Sequence, residues 1–344
     1  MRRVHHRILG LLASAFAAWH CASVRGADFP LSEGETIVGA LRVIELQSNS
    51  TLYDVARHFD LGTPELAAPN PGVDLWAPTQ RQRLLVPTEF ILPPKPWVGI
   101  VVNLAARRLF YFPSPSPGQA ATVMTVPIGI GAEHWLTPVG RTVISAKIRD
   151  PVWIPPPDIR AEHATLGDVL PAVVPPGPNN PMGLFELATG FAGIYIHGTN
   201  RPWSVGGIAS HGCIRLYPED VAELFRRVPL GTPVRIIDQP YRFGSLGGET
   251  YLAASPLFQK SQTGIVPAQD VVSAWIAYSS GRQLAVDWDR LMEVAKRAQG
   301  VPIPIAPGSR SLADETTNAA AEPYRFRAYG ADANNAAMPQ SPEH

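Results

Sequence analysis

The chain is poor in cysteine: its 344 residues contain two, Cys21 and Cys213. That excludes a disulfide-stapled scaffold and the paired Cys-x-x-Cys spacing of structural zinc sites. An excess of charge of one sign is missing too. Lys and Arg total 29 and Asp and Glu total 29, so nothing argues for nucleic acid as a partner, and none is expected. Long apolar runs are also lacking. The longest candidate, residues 8–19, falls short of the roughly 20 residues a membrane span needs. Proline is what the chain has in excess. Its 36 prolines include Pro93-Pro94-Lys95-Pro96, Pro155-Pro156-Pro157 and Pro175-Pro176. Such clusters fit neither helix interiors nor central strands, so they predict a β-rich body with stiffened loops.

Arg2, Arg3 and Arg7 precede the apolar run Ile8 to Trp19, the layout of an export signal. Val24 and Gly26 place its cleavage after residue 26, which predicts a protein of the periplasm or cell wall. Cys21 leaves lipid anchoring as an alternative, although Ala18-Trp19-His20 is a poor lipoprotein pattern. Without the leader, Cys213 is the single thiol. A lone thiol in an exported chain is either an inert core residue or a nucleophile.

Leu52, Val55, Ala56 and Phe59 fall at i, i+3, i+4 and i+7, one face of a short helix. Thr63-Pro64-Glu65 predicts a second helix with Thr63 as its cap, stopped by Asn70-Pro71-Gly72, and Arg83 to Pro87 predicts a closing strand. With Thr51-Leu52, Leu66 and Asn70-Pro71, residues 41–88 resemble a LysM domain, a small α+β glycan-binding module. They depart from it at Asn49-Ser50 and Pro69, and a plain spacer is the alternative. Pro93 to Pro96 is expected to be a stiff linker. Strands are expected at Val98 to Asn103, Arg108 to Phe112, Val123 to Ile130, Arg141 to Ile148, Leu184 to Leu187, Gly193 to His197 and Pro233 to Ile237. Residues 219–227 are expected to be helical, and 151–181 a long loop or cover. Residues 239–305 predict a small α+β extension with helices at 270–278 and 287–298. From 306 to 344 the composition predicts disorder.

A thiol attacks as its thiolate, so it needs a base within hydrogen-bond reach. His197 closes the apolar strand Ile194-Tyr195-Ile196, which would hold its ring rigidly. His211 stands two residues before Cys213, either as a proton carrier or as a structural hydrogen-bonder. Gly212 lets the backbone approach a carbonyl closely and aim the amides of Gly212 and Cys213 at an oxyanion. Arg215 would share a strand face with Cys213 and hold a carboxylate, or else support the loop in a salt bridge. A zinc site from His197, His211 and Cys213 would lack a fourth ligand.

Ile196-His197-Gly198-Thr199-Asn200, Ser204-Val205-Gly206 and Ser210-His211-Gly212-Cys213-Ile214-Arg215-Leu216 resemble the motifs of the L,D-transpeptidases, the YkuD-type family that crosslinks peptidoglycan. Thr137-Pro138-Val139-Gly140, Asn180-Pro181-Met182-Gly183 and Pro218-Glu219-Asp220 extend the match over about residues 97–238. The resemblance implies a mostly β catalytic domain, a β-sandwich of mixed sheets, behind the α+β LysM-like unit. It implies Cys213 as nucleophile, His197 as base and the Gly198 carbonyl as its orienter. Ser210, His211, Gly212 and Arg215 would form the acyl pocket and oxyanion site. No metal or organic cofactor is implied. The expected donor is a peptidoglycan tetrapeptide, the acceptor an amine of a second stem or of an envelope lipoprotein, and the expected inhibitor a carbapenem. An L,D-carboxypeptidase and a catalytically silent wall-binding protein are the alternatives.

Overall fold

The computed structural model describes residues 28–47, 49–256, 268–317 and 319–326. The expected export signal and Cys21 lie outside the described residues. Edge strand β1 (Asp28–Pro30) precedes a unit formed by β2 (Ile37–Leu46), α1 (Leu52–His58), α2 (Thr63–Ala67) and β3 (Arg83–Ile91). The strand, helix, helix, strand order is the expected one. β2 and β3 pair antiparallel from Ile37↔Ile91 to Glu45↔Arg83. Thr51 and Asp54 form a reciprocal capping box that starts α1. Gly62, not Thr63, caps α2, because Glu65 reaches back to the Gly62 amide at 3.2 Å. Asn70 ties the helix end to β3 by bonds to Leu66 O, Leu85 O and Leu85 N of 2.7–2.8 Å.

The centre of the molecule is a mixed sheet of nine strands. Its members are β4 (Gly99–Asn103), β5 (Arg108–Phe112), β6 (Thr122–Pro127), β8 (Gly140–Arg149), β9 (Phe185–Thr189), β10 (Tyr195–His197), β12 (Ile214–Arg215) and β13 (Pro233–Ile237), with β1 at one edge. They run in the order β1-β6-β5-β4-β13-β8-β9-β10-β12. A separate pair joins β7 (Ile130–Gly131) to β11 (Ile208–Ser210). Just past β6, Gly129 exchanges two backbone bonds of 2.8 and 2.9 Å with Arg215 of the far edge strand. The sheet therefore curls until its two ends meet, which corrects the expected β-sandwich to a mixed α/β fold built on one curled sheet. The curl encloses Ile100, Val102, Leu109, Met124, Val126, Leu187, Ile196 and Ile214, and α4 (Pro218–Arg227) adds Val221 and Leu224 to that core.

The alternation along β4 to β6 sends Val101, Phe110, Phe112 and Val123 to the other face. There they join a second core with Leu52, Val55, Leu66 and Val86 of the N-terminal unit. Arg57 reaches Glu219 at the start of α4 with two bonds of 2.7 and 2.8 Å. Arg108 grips Glu65 and the Asp60 carbonyl, and Tyr217 OH donates to Leu61 O at 3.0 Å. The expected stiff linker is also packed down: Trp97 stacks on Phe112 and donates to Pro93 O at 2.8 Å.

Beyond the sheet, β14 (Tyr241–Leu246), β15 (Glu249–Ala254), α5 (Ala268–Ser279), α6 (Trp288–Arg297) and β16 (Ile303–Pro304) enclose a core of Phe243, Leu252, Val271, Trp275 and Leu291. The disorder expected from residue 306 is corrected over 312–317 and 322–324. Helix α7 (Leu312–Thr317) leads to β17 (Glu322–Tyr324), which pairs parallel with β2. Tyr324 is buried there against His58 and Phe59. Phe326 packs against the same core, Arg42 pairs with Glu322, and Arg83 donates to Ala319 O at 2.8 Å. Residues 327–344 lie outside the described residues.

Candidate active site

Two rows of side chains cross one face of the sheet's far end. β10 pairs with β9 through Tyr195↔Ala188 and His197↔Glu186, and with β12 through Ile196↔Ile214 and His197↔Arg215. β9 pairs with β8 through Ala146↔Ala188 and Ile148↔Glu186. Paired residues share a face and neighbours along a strand alternate. Leu187, Ile196 and Ile214 therefore point into the core. The opposite face carries Ile148, Glu186, His197 and Arg215 in one row. The row beside it carries Ala146, Ala188, Tyr195 and Cys213, the last immediately before β12. The register thus brings Cys213, His197 and Arg215 together on one surface.

The His197 ring is buried, and its Nδ1 donates to the Gly198 carbonyl at 2.6 Å. A carbonyl only accepts, so the proton sits on Nδ1 and Nε2 keeps its lone pair. Burial, helped by the Arg215 charge, pushes this imidazole down to about 3 against the pull of the Gly198 and Met182 carbonyls. Burial pushes the Cys213 thiol up, opposed by a backbone bond at Tyr195 and by Arg215. Its Sγ lies 3.4 Å from the Gly193 carbonyl. Near neutrality both groups therefore rest uncharged, as thiol and neutral imidazole.

The turn before the thiol is held from several sides. Ser210 Oγ donates to the Cys213 carbonyl at 2.5 Å. Thr137 Oγ1 donates to the Gly212 carbonyl at 2.9 Å and accepts from the Gly131 amide at 3.2 Å. Gly212 has φ +96°, and a Cβ there would lie 3.1 Å from Ile194 Cδ1, so glycine is required. His211 turns toward the proline-rich excursion, which contains α3 (Pro157–Thr165). Its Nε2 lies 3.1 Å from Glu162 Oε2, which also accepts from Trp135 Nε1 at 3.0 Å. The His211 and Trp135 rings meet edge to face at 5.1 Å. The excursion is thus tied to the turn through His211. Among the described residues no three His, Cys, Asp or Glu side chains converge as metal ligands.

Sequence reasoning missed Tyr195, Glu186 and Glu162. Tyr195 was within reach, because it lies two residues before His197 on one strand. Glu186 carried a signal as well, a lone charge inside an apolar strand. Glu162 carried none, since its place depends on how a loop folds back.

The model of the YkuD L,D-transpeptidase catalytic domain matches residues 98–236. A relative named "Probable L,D-transpeptidase ErfK/SrfK" from Salmonella typhimurium is 37% identical over 298 residues, covering 83% of this chain and 93% of that protein. The chain belongs to the L,D-transpeptidase family. "Probable L,D-transpeptidase YbiS" of Escherichia coli is 40% identical over 238 residues, 67% of this chain and 76% of that protein. A solved catalytic domain of the E. faecium L,D-transpeptidase is 25% identical with a TM-score of 0.30, covering 41% of this chain and 96% of that one. This L,D-transpeptidase is thus a member of a cysteine-dependent enzyme family whose substrate is cell-wall peptidoglycan. Among its described residues no helix is long and apolar enough to cross a membrane.

Proposed function

We propose that this L,D-transpeptidase uses Cys213 as nucleophile and His197 as base on a tetrapeptide stem, outside the cytoplasm. The observation that carries the reading is the register that sets His197, Arg215 and Cys213 on one face, with the His197 Nε2 lone pair unprotonated. Sulfur attacks the carbonyl of the stem's third, diamino-acid residue as the thiol proton passes to Nε2. The amides of Gly212 and Cys213 receive the oxyanion. The intermediate collapses to a thioester, and the terminal D-alanine leaves with the proton from His197. An amine of another stem or of an envelope protein lysine then attacks the thioester, gives a proton to His197, and the thiol is restored. Arg215 is assigned to a substrate carboxylate, supported by its buried Nε, which has no partner within the described protein. Ser210 and His211 hold the turn. The N-terminal unit is assigned, as a LysM-like module, to glycan. Mass spectrometry of tetrapeptide products with and without an amine acceptor tests the reaction. Crosslinked or amine-capped product supports it, and tripeptide alone would identify a carboxypeptidase.

Two outcomes follow for His197. His197→Ala should slow β-lactam acylation about 10²–10⁴-fold, the range of a lost general base. His211→Ala should cost less, since that ring is engaged by Glu162. Stopped-flow quenching of intrinsic fluorescence reads both, and a full-rate His197 variant beside a dead His211 variant would reverse the roles. The pH profile gives an independent check. A base lowered to about 3 stays unprotonated through mild acid. The acylation rate should therefore show no acid limb at the ordinary imidazole value of about 6.5. A half-drop there would mean that the ring titrates as an exposed histidine.

A further inference from the structure

Glu186 is a carboxylate on the same face as the thiol, and the reaction proposed above leaves it unused. The residue is 6% exposed, and its carboxylate makes no hydrogen bond or ion pair to a described residue, while its oxygens keep access to solvent. Partial burial pushes its pKa up, so a cation placed beside it would stabilise the charged form. The basic residues of neighbouring β8 do not supply one. Lys147 and Arg149 alternate with Ile148 and point to the other face, where Lys147 donates to Val228 O at 2.8 Å and Arg149 lies 5.2 Å from the Phe185 ring. Arg215 shares the face of Glu186 but stands beyond His197 in the row. The register sets Glu186 on the face that carries Tyr195 and Cys213.

Strand spacing fixes the scale. Glu186 is two strands and two residues from Cys213, roughly 12 Å between Cα atoms, and the Glu and Cys side chains shorten that gap. Between them the floor is Ala188 and Tyr195, and Ala188 leaves room above it. A diamino-acid residue acylated on Cys213 places its side-chain nitrogen about 7 Å from the acyl carbon by bond lengths alone. We propose that Glu186 is a specificity-determining residue of the donor site, its carboxylate receiving the side-chain ammonium of the residue whose carbonyl Cys213 attacks. The assignment rests on the transpeptidase reading for the identity of that residue. With Arg215 beyond His197 in the same row, the face then presents an anion to the side-chain ammonium and a cation to a substrate carboxylate.

The test uses two tetrapeptides that differ only in whether the third residue's side-chain amine is free or acetylated. Binding is measured by calorimetry to the full chain carrying Cys213→Ala, with and without Glu186→Gln. The free amine should bind about tenfold tighter to the protein that keeps Glu186. Glu186→Gln should bring the ratio near one, and Glu186→Asp should restore part of it. Retained thermal unfolding of each variant shows that the fold is intact. Equal preference with and without Glu186→Gln, or no preference in either protein, overturns the assignment. Release of D-alanine by the enzyme with Cys213 is scored separately. Amine-selective binding without release overturns the transpeptidase reading and supports the Glu186 assignment, while release without selectivity overturns the assignment alone.

Discussion

Cys213→Ala should abolish covalent labelling of the described residues by a carbapenem and leave thermal unfolding nearly unchanged. The thiol stands immediately before β12, on the face that carries His197 and Arg215, and it is the free cysteine of the described residues. Its removal leaves no sulfur there to open a β-lactam ring. The structural cost is small. The side chain is half-buried, its Sγ has one long contact to Gly193 O, and the turn is held instead by Ser210, Thr137 and Gly212. Replacing one sulfur by hydrogen should cost no more than about 1.5 kcal/mol, well inside the reserve of a folded domain. Intact-mass spectrometry after incubation should show one adduct on the Cys213 protein and none on the variant. An adduct that survives on the alanine protein would place the nucleophile elsewhere.

What was legible from the sequence was local. Short apolar runs bounded by turn residues gave β4, β5 and β13, and an apolar stripe at helical spacing gave α1. The turn from Ser210 to Arg215 could be read because the constraint there is short-ranged: a glycine at φ +96°, a cysteine and a strand start lie within six residues. Curl and closure could not be read. They depend on Gly129 meeting Arg215, 86 positions later in the chain, and no local pattern announces such a bridge. The same limit hid α7 and β17, where Tyr324 gains its burial from α1 and its pairing from β2. It also hid the tie between Glu162 and His211, because proline-rich segments carry no periodicity from which a fold-back could be inferred.

A chain that starts at Trp97 should fail to fold as a cooperative unit and should lose β-lactam acylation, although every residue assigned to the reaction is retained. A detachable module would predict the opposite, a normal reaction and a loss of binding to sacculi alone. The packing decides between them. Val101, Phe110, Phe112 and Val123 are each 0–3% exposed, and the N-terminal unit covers the face they occupy. Fully burying such a side chain contributes roughly 1.5–3 kcal/mol, so uncovering four removes about 6–12 kcal/mol. That is comparable to the roughly 5–15 kcal/mol by which whole domains are stable. Arg108, itself 2% exposed, would also lose Glu65 and the Asp60 carbonyl. Circular dichroism melting and carbapenem labelling of the truncated protein check the point. A sharp melting transition with full-rate labelling would show that the N-terminal unit is a separable attachment. Because truncation disturbs folding, glycan binding is better tested on the intact Cys213→Ala protein, by asking whether soluble glycan strands release it from sacculi. If they do not, the spacer reading of residues 41–88 gains, and the unit's work is to cover the back of the catalytic sheet.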